Sequence, residues 1–226
     1  MAVTMKESDK LGFLNLSGES LAHFNAIAKE VQYRTGSFVL REGDAARGIH
    51  LICAGEVKLF ATSSEGNSMI VKVAKRGDVL GLSSVISGSP YELSGETLRA
   101  CTVKFISQRS FLGFLAAHAE VGYTTALTLA REHREVFQCT RRLALSKSIA
   151  GRIAQILIHL AESQVSLASC RCFAMDLTHA ELAGMAGASR ETVTRLLNKF
   201  ERSGFISRDH ATITILQPSL LQQLAD

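Results

Sequence analysis

The stretch GASRETVTRLLNKFERSGFI, residues 187–206, decides the fold of the C-terminal part of this chain. Its apolar side chains are spaced three and four residues apart at Val193, Leu196, Leu197 and Phe200. This spacing predicts a helix that buries one face. Arg190, Glu191 and Arg195 fall outside that face, so we expect them to point outward.

The residues on either side of this helix predict a second helix and a hairpin. Thr178 and Glu181 have the spacing of a capping box, which opens a short helix, and Gly187 is placed to end it. Ser189 can cap the next helix after only a few residues of turn. Two helices in this arrangement are typical of a helix-turn-helix. The sequence FISRDHATITIL, residues 205–216, predicts a two-stranded hairpin, the wing of a winged variant.

The charged residues of the second helix suit the bases of a DNA major groove. An arginine can donate two hydrogen bonds to guanine, whereas a glutamate accepts only from an amino group such as cytosine N4. We therefore interpret Arg190, Glu191 and Arg195 as base-reading residues, with Glu191 alternatively orienting Arg195 one turn further on. A solvated helix face with an ion pair is the remaining alternative. Contacts to DNA phosphates are assigned to Ser189, Thr192, Thr178 and His179.

The first half of the chain has a different pattern. Residues 31–106 form short β-rich runs separated by glycines, which predict a small antiparallel roll or barrel. Residues 108–145 lack proline and predict one long helix. The fold class is therefore α+β, with an N-terminal β-roll at 1–106, a central helix region at 107–146 and a winged helix-turn-helix at 147–226.

The central helix has a seven-residue repeat. Leu129, Val136 and Leu143 lie at this interval, with Thr125, Glu132 and Cys139 between them. The repeat indicates a coiled-coil-like dimer seam, although Glu132 interrupts its apolar character. The alternative is a surface helix that lies on its own barrel.

Composition narrows the class of protein. The 226 residues are 46% hydrophobic and 20% charged, which allows two modest globular domains. The sequence has no apolar run of about 18 residues and no secretory signal at its N-terminus, so we expect a cytoplasmic protein without a membrane partner. The odd count of five cysteines suits reduced thiols. Five arginines or lysines against two glutamates between residues 187 and 208 favour an anionic partner there.

These motifs resemble the CRP/FNR family of bacterial transcription regulators over nearly the whole chain. GDAARGIHLICAGEVKLF (43–60) resembles that family's cyclic-nucleotide-binding-type β-roll, and SIAGRIAQILIHLA (148–161) resembles the helix after its hinge. LAGMAGASRETVTRLL (182–197) is the most specific match, to the DNA-reading motif. The resemblance implies double-stranded DNA with inverted TGTGA-type half-sites, a homodimer formed through the central helix, and RNA polymerase as a partner.

The resemblance also points to an effector pocket and disfavours cyclic AMP in it. Members that bind cyclic AMP have a Gly-Glu pair for the ribose and an Arg-Ser pair for the cyclic phosphate. Here Gly81 is followed by Leu82, and Tyr91-Glu92 aligns with the second pair. Without an arginine the phosphate loses its bidentate partner, and Glu92 would repel it. The predicted pocket residues are Gly81, Leu82, Ser83, Tyr91, Glu92, Phe137 and Gln138. The effector is unknown, and side chains filling the pocket are the alternative.

The cysteines and histidines of the chain bear on whether it could hold an iron-sulfur cluster, haem or a metal ion. The first cysteine is Cys53, so the clustered N-terminal cysteines of an iron-sulfur regulator are absent. Haem would need an axial ligand such as His23 or His50, or a cysteine, and remains an alternative to their role as ordinary surface or turn residues. Cys170 and Cys172 could respond to oxidation or bind a soft metal, but their spacing is not that of a zinc site, and no metal site is predicted.

Two other function classes compete with a regulator. A cupin-type enzyme needs converging histidines, and the seven histidines include no H-x-H element, so we expect no enzyme. A nucleotide-binding module that acts through protein partners would leave the basic helix without a role. We expect an allosteric regulator in which the β-roll sets the arrangement of the central helices, with a hinge at residues 146–148.

Overall fold

The computed structural model describes residues 16, 18–65, 68–146, 148–164, 172–174, 177–209 and 212–225. These residues separate into two compact units. The first comprises residues up to 65 together with 71–136, and the second comprises 68–70 together with residues from 137 onward. The boundary at 136 falls inside the central helix, so the division at 106 and 146 stays a prediction. The predicted hinge includes Lys147, which lies outside the described residues.

The N-terminal part of the chain is a β-roll. Its elements in chain order are α1 (Gly18–Ile27), β1 (Lys29–Tyr33), β2 (Phe38–Leu40), β3 (Gly48–Ala54), β4 (Val57–Thr62), β5 (Ser68–Ala74), β6 (Val79–Leu80), α2 (Leu82–Ser87), β7 (Ser94–Thr97), β8 (Cys101–Ser107), α3 (Gln108–Ala117) and α4 (Ala119–Leu145). The strands form two four-stranded sheets, ordered β1-β8-β3-β6 and β2-β7-β4-β5. The predicted β-roll is confirmed.

The core of the first unit lies between these sheets. The central strand β3 is buried over its first five residues, because both of its faces are covered. Ile49, Leu51 and Ile52 of β3 are fully buried with Val103 and Ile106 of the neighbouring β8. This non-polar interior positions the loops that surround the cavity described below.

The helical region after the roll is broken, so the prediction of one long helix over 108–145 is wrong. α3 ends at Ala117, and His118 has an extended backbone before α4 begins. The side chain of His118 packs against Phe114 of α3 and His23 of α1, with ring centroids 5.1 Å away in both cases. These tertiary contacts hold a turn where the local sequence has no helix breaker.

The buried face of α4 differs from the predicted dimer seam. Val121, Thr125 and Cys139 are almost fully buried. Leu129 is partly buried against the core of the β-roll in its own chain, and its place in a dimer seam stays a prediction. Val136 is half exposed and lines the same cavity as Leu129. This part of α4 therefore packs on the β-roll of its own chain, as the surface-helix alternative describes.

The C-terminal unit contains the winged helix-turn-helix. Its further elements are α5 (Ile149–Gln164), β9 (Cys172–Ala174), α6 (His179–Ala186), α7 (Arg190–Arg202), β10 (Ile206–Asp209), β11 (Thr212–Ile215) and α8 (Pro218–Ala225). β10 and β11 pair antiparallel, which confirms the predicted wing hairpin. β9 adds a third strand on β11, which the sequence did not predict. No helix among the described residues is long and apolar enough to cross a membrane.

Substitution of two glycines of the β-roll distinguishes the effect of backbone strain from that of a steric clash. Gly81 and Gly88 both have positive φ, at 78° and 73°. A Cβ on Gly81 would lie 2.6 Å from Cε1 of Tyr91, whereas a Cβ on Gly88 meets nothing within 4 Å. The ring of Tyr91 cannot retreat easily, because its hydroxyl donates to the carbonyl of Gly48 at 2.6 Å.

We therefore expect G88A to lower the free energy of unfolding by about 1 kcal/mol, from backbone strain alone. G81A should lose about 1 to 3 kcal/mol more, because overpacking adds to the strain. Urea unfolding followed by circular dichroism measures both. Equal losses in the two variants would contradict the clash with Tyr91.

Candidate nucleic-acid interface and effector cavity

Helix α7 presents charges outward because its other face is buried. Val193, Leu197 and Phe200 are 0%, 0% and 2% exposed, so they fix the rotation of the helix about its axis. Arg190 and Arg195 are exposed on the first two turns. The structure thus brings the predicted base-reading residues together on one accessible surface at the N-terminal end of α7.

The turn between the two helices is built as the sequence predicts. Thr178 and Glu181 form a full capping box, in which each side chain bonds the backbone of the other residue. Gly187 ends α6 in the left-handed conformation, with φ 58°. Ser189 caps α7 by accepting from the backbone N–H of Thr192 at 3.2 Å. These predictions of caps and of the helix end are confirmed.

The capping roles bear on the residues assigned to DNA phosphates. The hydroxyl of Thr178 donates to the carboxylate of Glu181 at 2.9 Å, and the hydroxyl of Ser189 donates to that of Thr192 at 3.1 Å. Thr192 accepts this bond, which leaves its own proton available to another acceptor. The phosphate role of Thr192 is therefore compatible with the capping bonds, while Thr178 and Ser189 would have to exchange a bond within the protein for a phosphate.

Glu191 interacts with the cap, not with Arg195. Its pKa lies below the usual range because its own backbone N–H and the nearby hydroxyl of Ser189 stabilise the carboxylate, with the charge of Arg190 adding to the effect. Among the ion pairs of the described residues, none joins Glu191 to Arg195. The alternative in which Glu191 orients Arg195 is therefore not seen in the free protein. The carboxylate stays ionised at neutral pH and exposed.

His179 connects the two helices of the motif. Its Nδ1 lies 2.8 Å from the hydroxyl of Thr194, which itself donates to the carbonyl of Arg190 at 3.0 Å. The hydroxyl must then accept from Nδ1–H, and in the neutral ring Nε2 has no proton to donate. Burial lowers the pKa of His179, and Arg208 and Arg190 lower it further. His179 therefore has a structural role in the free protein, and its contact with a DNA phosphate stays a prediction.

Arg208, which was not among the predicted site residues, binds the wing to α7. Arg208 on β10 donates from Nε and from a terminal nitrogen to Oε2 of Glu201, at 3.1 and 2.5 Å. The same terminal nitrogen donates to Oδ1 of Asn198 at 2.6 Å. These hydrogen bonds hold the pKa of Glu201 below its usual value. The only signal in the sequence is the charge pair itself, and its partners were not predictable before the hairpin was placed.

The second candidate site is a cavity in the β-roll, closed on one side by α4. Its volume is about 400 Å³. The walls are formed by residues of β2, β4 and β5 and by two segments, Val79 to Ser84 and Tyr91 to Leu93. The lining from α4 is Leu129, Glu132, His133, Glu135 and Val136. Of the predicted pocket residues, Gly81, Leu82, Ser83, Tyr91 and Glu92 all line it.

Two predicted pocket residues are misplaced. Phe137 is 57% exposed and Gln138 is exposed, and neither lines the cavity. The wall from α4 is supplied instead by the preceding turns, from Leu129 to Val136. Glu132, which interrupted the predicted seam, was the signal for this: a buried carboxyl in an apolar repeat has its own partners.

Tyr91, which the family resemblance aligns with an arginine of cyclic-AMP-binding members, lines the cavity. The side chain is buried, and its hydroxyl donates to the carbonyl of Gly48 at 2.6 Å while accepting from the N–H of the same residue at 3.3 Å. Burial raises the pKa of the phenol. Tyr91 therefore stays neutral and has no free donor for a cyclic phosphate. The residues present do not fit the phosphate chemistry of cyclic AMP.

The charges around the cavity are mainly negative. Lys72 on β5 pairs with Asp78 at 3.0 Å and with Glu135 of α4 at 2.8 Å. Burial alone would lower the pKa of Lys72, but the two carboxylates outweigh it and raise that pKa. Glu132 and Glu92 complete the acidic lining. Burial raises the pKa of Glu132 to about 7; Lys72 opposes this rise, whereas Glu135, Asp78 and Glu92 increase it.

The histidines considered as haem ligands have other contacts. His50 on β3 is buried, packs 5.1 Å from the ring of Phe105, and burial lowers its pKa to about 4. Nδ1 of His23 lies 2.9 Å from Nε2 of His118. Within the described part of the chain, no three His, Cys, Asp or Glu side chains are grouped as metal ligands. Cys170 lies outside the described residues, and Cys172 begins β9.

Comparison with known proteins matches both units. The Cyclic nucleotide-binding domain model matches residues 30–118, and the Crp-like helix-turn-helix domain model matches residues 151–224. The cAMP-activated global transcriptional regulator CRP of Escherichia coli is 26% identical over 185 residues, covering 81% of this chain and 88% of that protein. The Cyclic AMP receptor protein of Thermus thermophilus is 24% identical over 193 residues, covering 85% and 86%.

Solved structures support the same fold. FixK2 from Bradyrhizobium japonicum superposes with a TM-score of 0.76 at 21% identity, covering 88% of this chain and 98% of that one. The c-di-GMP responsive global regulator CLP from Xanthomonas campestris has a TM-score of 0.74 at 21% identity, with coverage of 87% and 97%.

A β-roll with a cavity, followed along the chain by a winged helix-turn-helix with an exposed basic helix, defines a DNA-binding transcription regulator and not an enzyme. The chain belongs to the CRP/FNR family.

The raised pKa of Glu132 predicts how stability depends on pH. Between the unfolded pKa near 4.5 and the folded value of about 7, the native state holds a proton that the unfolded chain releases. The contribution of this group is therefore fully present below about pH 4.5 and is lost as the pH rises through about 7. E132Q should remove this loss. We expect the variant to be more stable than the parent by about 1 to 3 kcal/mol near pH 8, with no difference near pH 4.

Urea unfolding of both proteins across this pH range measures the effect. E135Q is the matched control, since the same substitution on the same helix removes a partner of Lys72 and should destabilise near pH 8. Parallel pH curves for the parent and E132Q would contradict the assignment.

Proposed function

We propose that this chain is a homodimeric, sequence-specific transcription regulator that reads inverted repeats of TGTGA-type half-sites. The observation that carries the proposal is the surface of α7. Arg190, Glu191 and Arg195 are exposed on its first two turns, while Val193 and Leu197 anchor the opposite face. A recognition helix contacts base edges with its N-terminal residues, and these three occupy that position.

The three charges divide the task of base reading by their chemistry. Each arginine can donate two parallel hydrogen bonds to O6 and N7 of a guanine. Glu191 remains ionised and can accept from an amino group such as cytosine N4, where a phosphate would repel it. A carboxylate lowers nonspecific affinity for DNA, so its exposure beside two arginines favours a base-reading role over simple attraction to the backbone.

The outer face of α4 supplies a surface for a second copy. Tyr123 and Phe137 are 69% and 57% exposed, and the exposed residues Ala130 and Ala144 continue the same seven-residue repeat. This stripe, which we call the outer stripe, replaces the predicted seam at Leu129. Two α4 helices paired along it would give a dimer with two equivalent heads. Such a dimer requires an inverted repeat with half-site centres about one helical turn of DNA apart.

The cavity of the β-roll is the proposed effector site. Its walls include two acidic residues of α4, so a ligand that favours one position of α4 would shift the arrangement of the dimer. We infer that the effector is not cyclic AMP, because Tyr91 and Glu92 offer no phosphate partner. The regulator would act in the cytoplasm on transcription by RNA polymerase.

Fluorescence anisotropy on the purified chain tests this function. A duplex with inverted TGTGA-type half-sites is compared with a scrambled duplex across salt concentrations, with and without cyclic AMP. We expect tighter binding to the half-sites that does not require cyclic AMP. A requirement for cyclic AMP would overturn the reading of Tyr91 and Glu92, and equal binding to both duplexes would overturn the half-site.

R190A should weaken half-site binding by about 1 to 3 kcal/mol and relax discrimination at one guanine of each half-site. R202A is the matched control, because Arg202 is exposed on the same helix but lies in its last turn. It should leave base preference unchanged. If R190A weakened binding equally on all sequences, Arg190 would be a phosphate contact and not a base reader.

The dimer is tested by a charge on the outer stripe. F137D should shift the solution mass toward the monomer, because two aspartates would face each other across the proposed interface. Light scattering after size exclusion measures this. I86D, at an exposed apolar position on α2, introduces the same charge and should leave the mass unchanged. A dimer that survives both F137D and Y123D would exclude this face.

A further inference from the structure

We propose that the cavity of the β-roll binds a small organic cation, a protonated amine on an apolar body, and rejects anionic ligands. The inference rests on the proposed function, which assigns this cavity to the effector. It goes further by naming the chemical class of the ligand from the residues that line the cavity.

The acidic lining outnumbers its cation. Glu92, Glu132 and Glu135 line the cavity, and Lys72 is the one lysine or arginine among the lining residues. Lys72 is already shared between Asp78 and Glu135, at 3.0 and 2.8 Å. Glu132 and Glu92 form no ion pair with a described residue, and His133 is the one other titratable basic side chain among the described lining residues. A bound ammonium would supply the charge that these carboxylates lack.

The same residues oppose an anion. The hydroxyl of Tyr91 is committed to Gly48, and the ammonium of Lys72 is committed to two carboxylates. A phosphate or carboxylate ligand would therefore approach Glu132 without a free cationic partner. In a partly desolvated cavity an unpaired charge beside a like charge is strongly unfavourable. The chemistry that selects a cation also excludes a cyclic nucleotide.

The rest of the cavity is apolar. Its apolar lining comes from the strands, α2 and α4: Leu40, Leu59, Val71, Leu80, Leu82, Leu129 and Val136. A volume of about 400 Å³ lies within the range of small-molecule sites, which are about 300 to 1,000 Å³. An alkyl or aryl body would replace water against these walls, while the ammonium lies at the acidic end. A bare metal ion or an inorganic cation would leave the apolar walls unfilled.

Binding of this kind would act on α4. Glu132 and Glu135 are both on α4, whereas Lys72 is on β5 and Asp78 follows it. An ammonium near Glu132 competes with Lys72 for Glu135, and so changes the ion pair that joins the strand to the helix. The ligand therefore has different affinities for different positions of α4, which is what an effector needs.

The test uses three probes with one alkyl body: hexylamine, 1-hexanol and hexanoate. Isothermal titration calorimetry of the full chain near pH 8, where Glu132 is ionised, measures the affinity of each. We expect hexylamine to bind at least about tenfold more tightly than hexanol, since a charge-assisted hydrogen bond is added. Hexanoate and cyclic AMP should bind more weakly than hexanol.

Variants distinguish the contribution of the carboxylates to binding from that of the apolar walls. E132Q should reduce the preference for hexylamine over hexanol by about tenfold while leaving hexanol unchanged. E65Q, at an exposed glutamate between β4 and β5 that does not line the cavity, makes the same chemical change and should have no effect. Circular dichroism confirms that each variant is folded.

Equal binding of hexylamine and hexanol, tighter binding of hexanoate or cyclic AMP, or no binding of any probe would each overturn this proposal. Anisotropy on the half-site duplex is measured on the same preparation. Specific DNA binding without a preference for the amine would support the proposed function and contradict only the proposed cationic ligand. A preference for the amine without specific DNA binding would support the cationic ligand and contradict the proposed function.

Discussion

The burial of one face of α7 fixes the direction of its exposed face, which has Arg190, Glu191 and Arg195. Val193, Leu197 and Phe200 are locked in the C-terminal core, and each such side chain contributes about 1.5 to 3 kcal/mol. A helix held by these anchors cannot rotate about its axis, so its exposed charges keep a fixed direction. The hydrogen bonds from Arg208 to Glu201 and Asn198 then fix the wing against the same helix. Preorganisation of this kind lets the exposed charged side chains distinguish bases that differ by one donor or acceptor.

The parts of the fold that sequence predicts well are those set by neighbouring residues. Thr178 and Glu181 are three residues apart, and Ser189 lies three residues before the N–H that it accepts from. Gly187 ends α6 because its own backbone adopts a positive φ. None of these features needs a distant part of the chain. For this reason the helix-turn-helix and the wing could be placed correctly from the sequence, along with the glycine-separated strands of the roll.

The errors concern contacts between residues far apart in the chain. α4 has two neighbouring apolar stripes, one through Leu129 and one through Phe137, and a periodic pattern cannot tell which faces the roll. Only the packing of Leu129 on the roll core decides this, and it moves the cavity wall to Glu132 and away from Phe137 and Gln138. The break at His118 and the strand β9 were missed for the same reason, since each is held by distant partners.

The chemistry of the cavity is set by which of its charges already have partners. Tyr91 is bonded inward to Gly48, and Lys72 is shared between Asp78 and Glu135. Burial of Glu132 raises its pKa to about 7, and Glu135, Asp78 and Glu92 add to the rise against the opposing charge of Lys72. Part of the native population therefore keeps that carboxyl neutral, because ionising it is unfavourable. A bound cation would remove this penalty and so stabilise the native state in proportion to its concentration. The repulsion that Glu135, Asp78 and Glu92 exert on ionised Glu132 would therefore favour a cationic ligand over a neutral one.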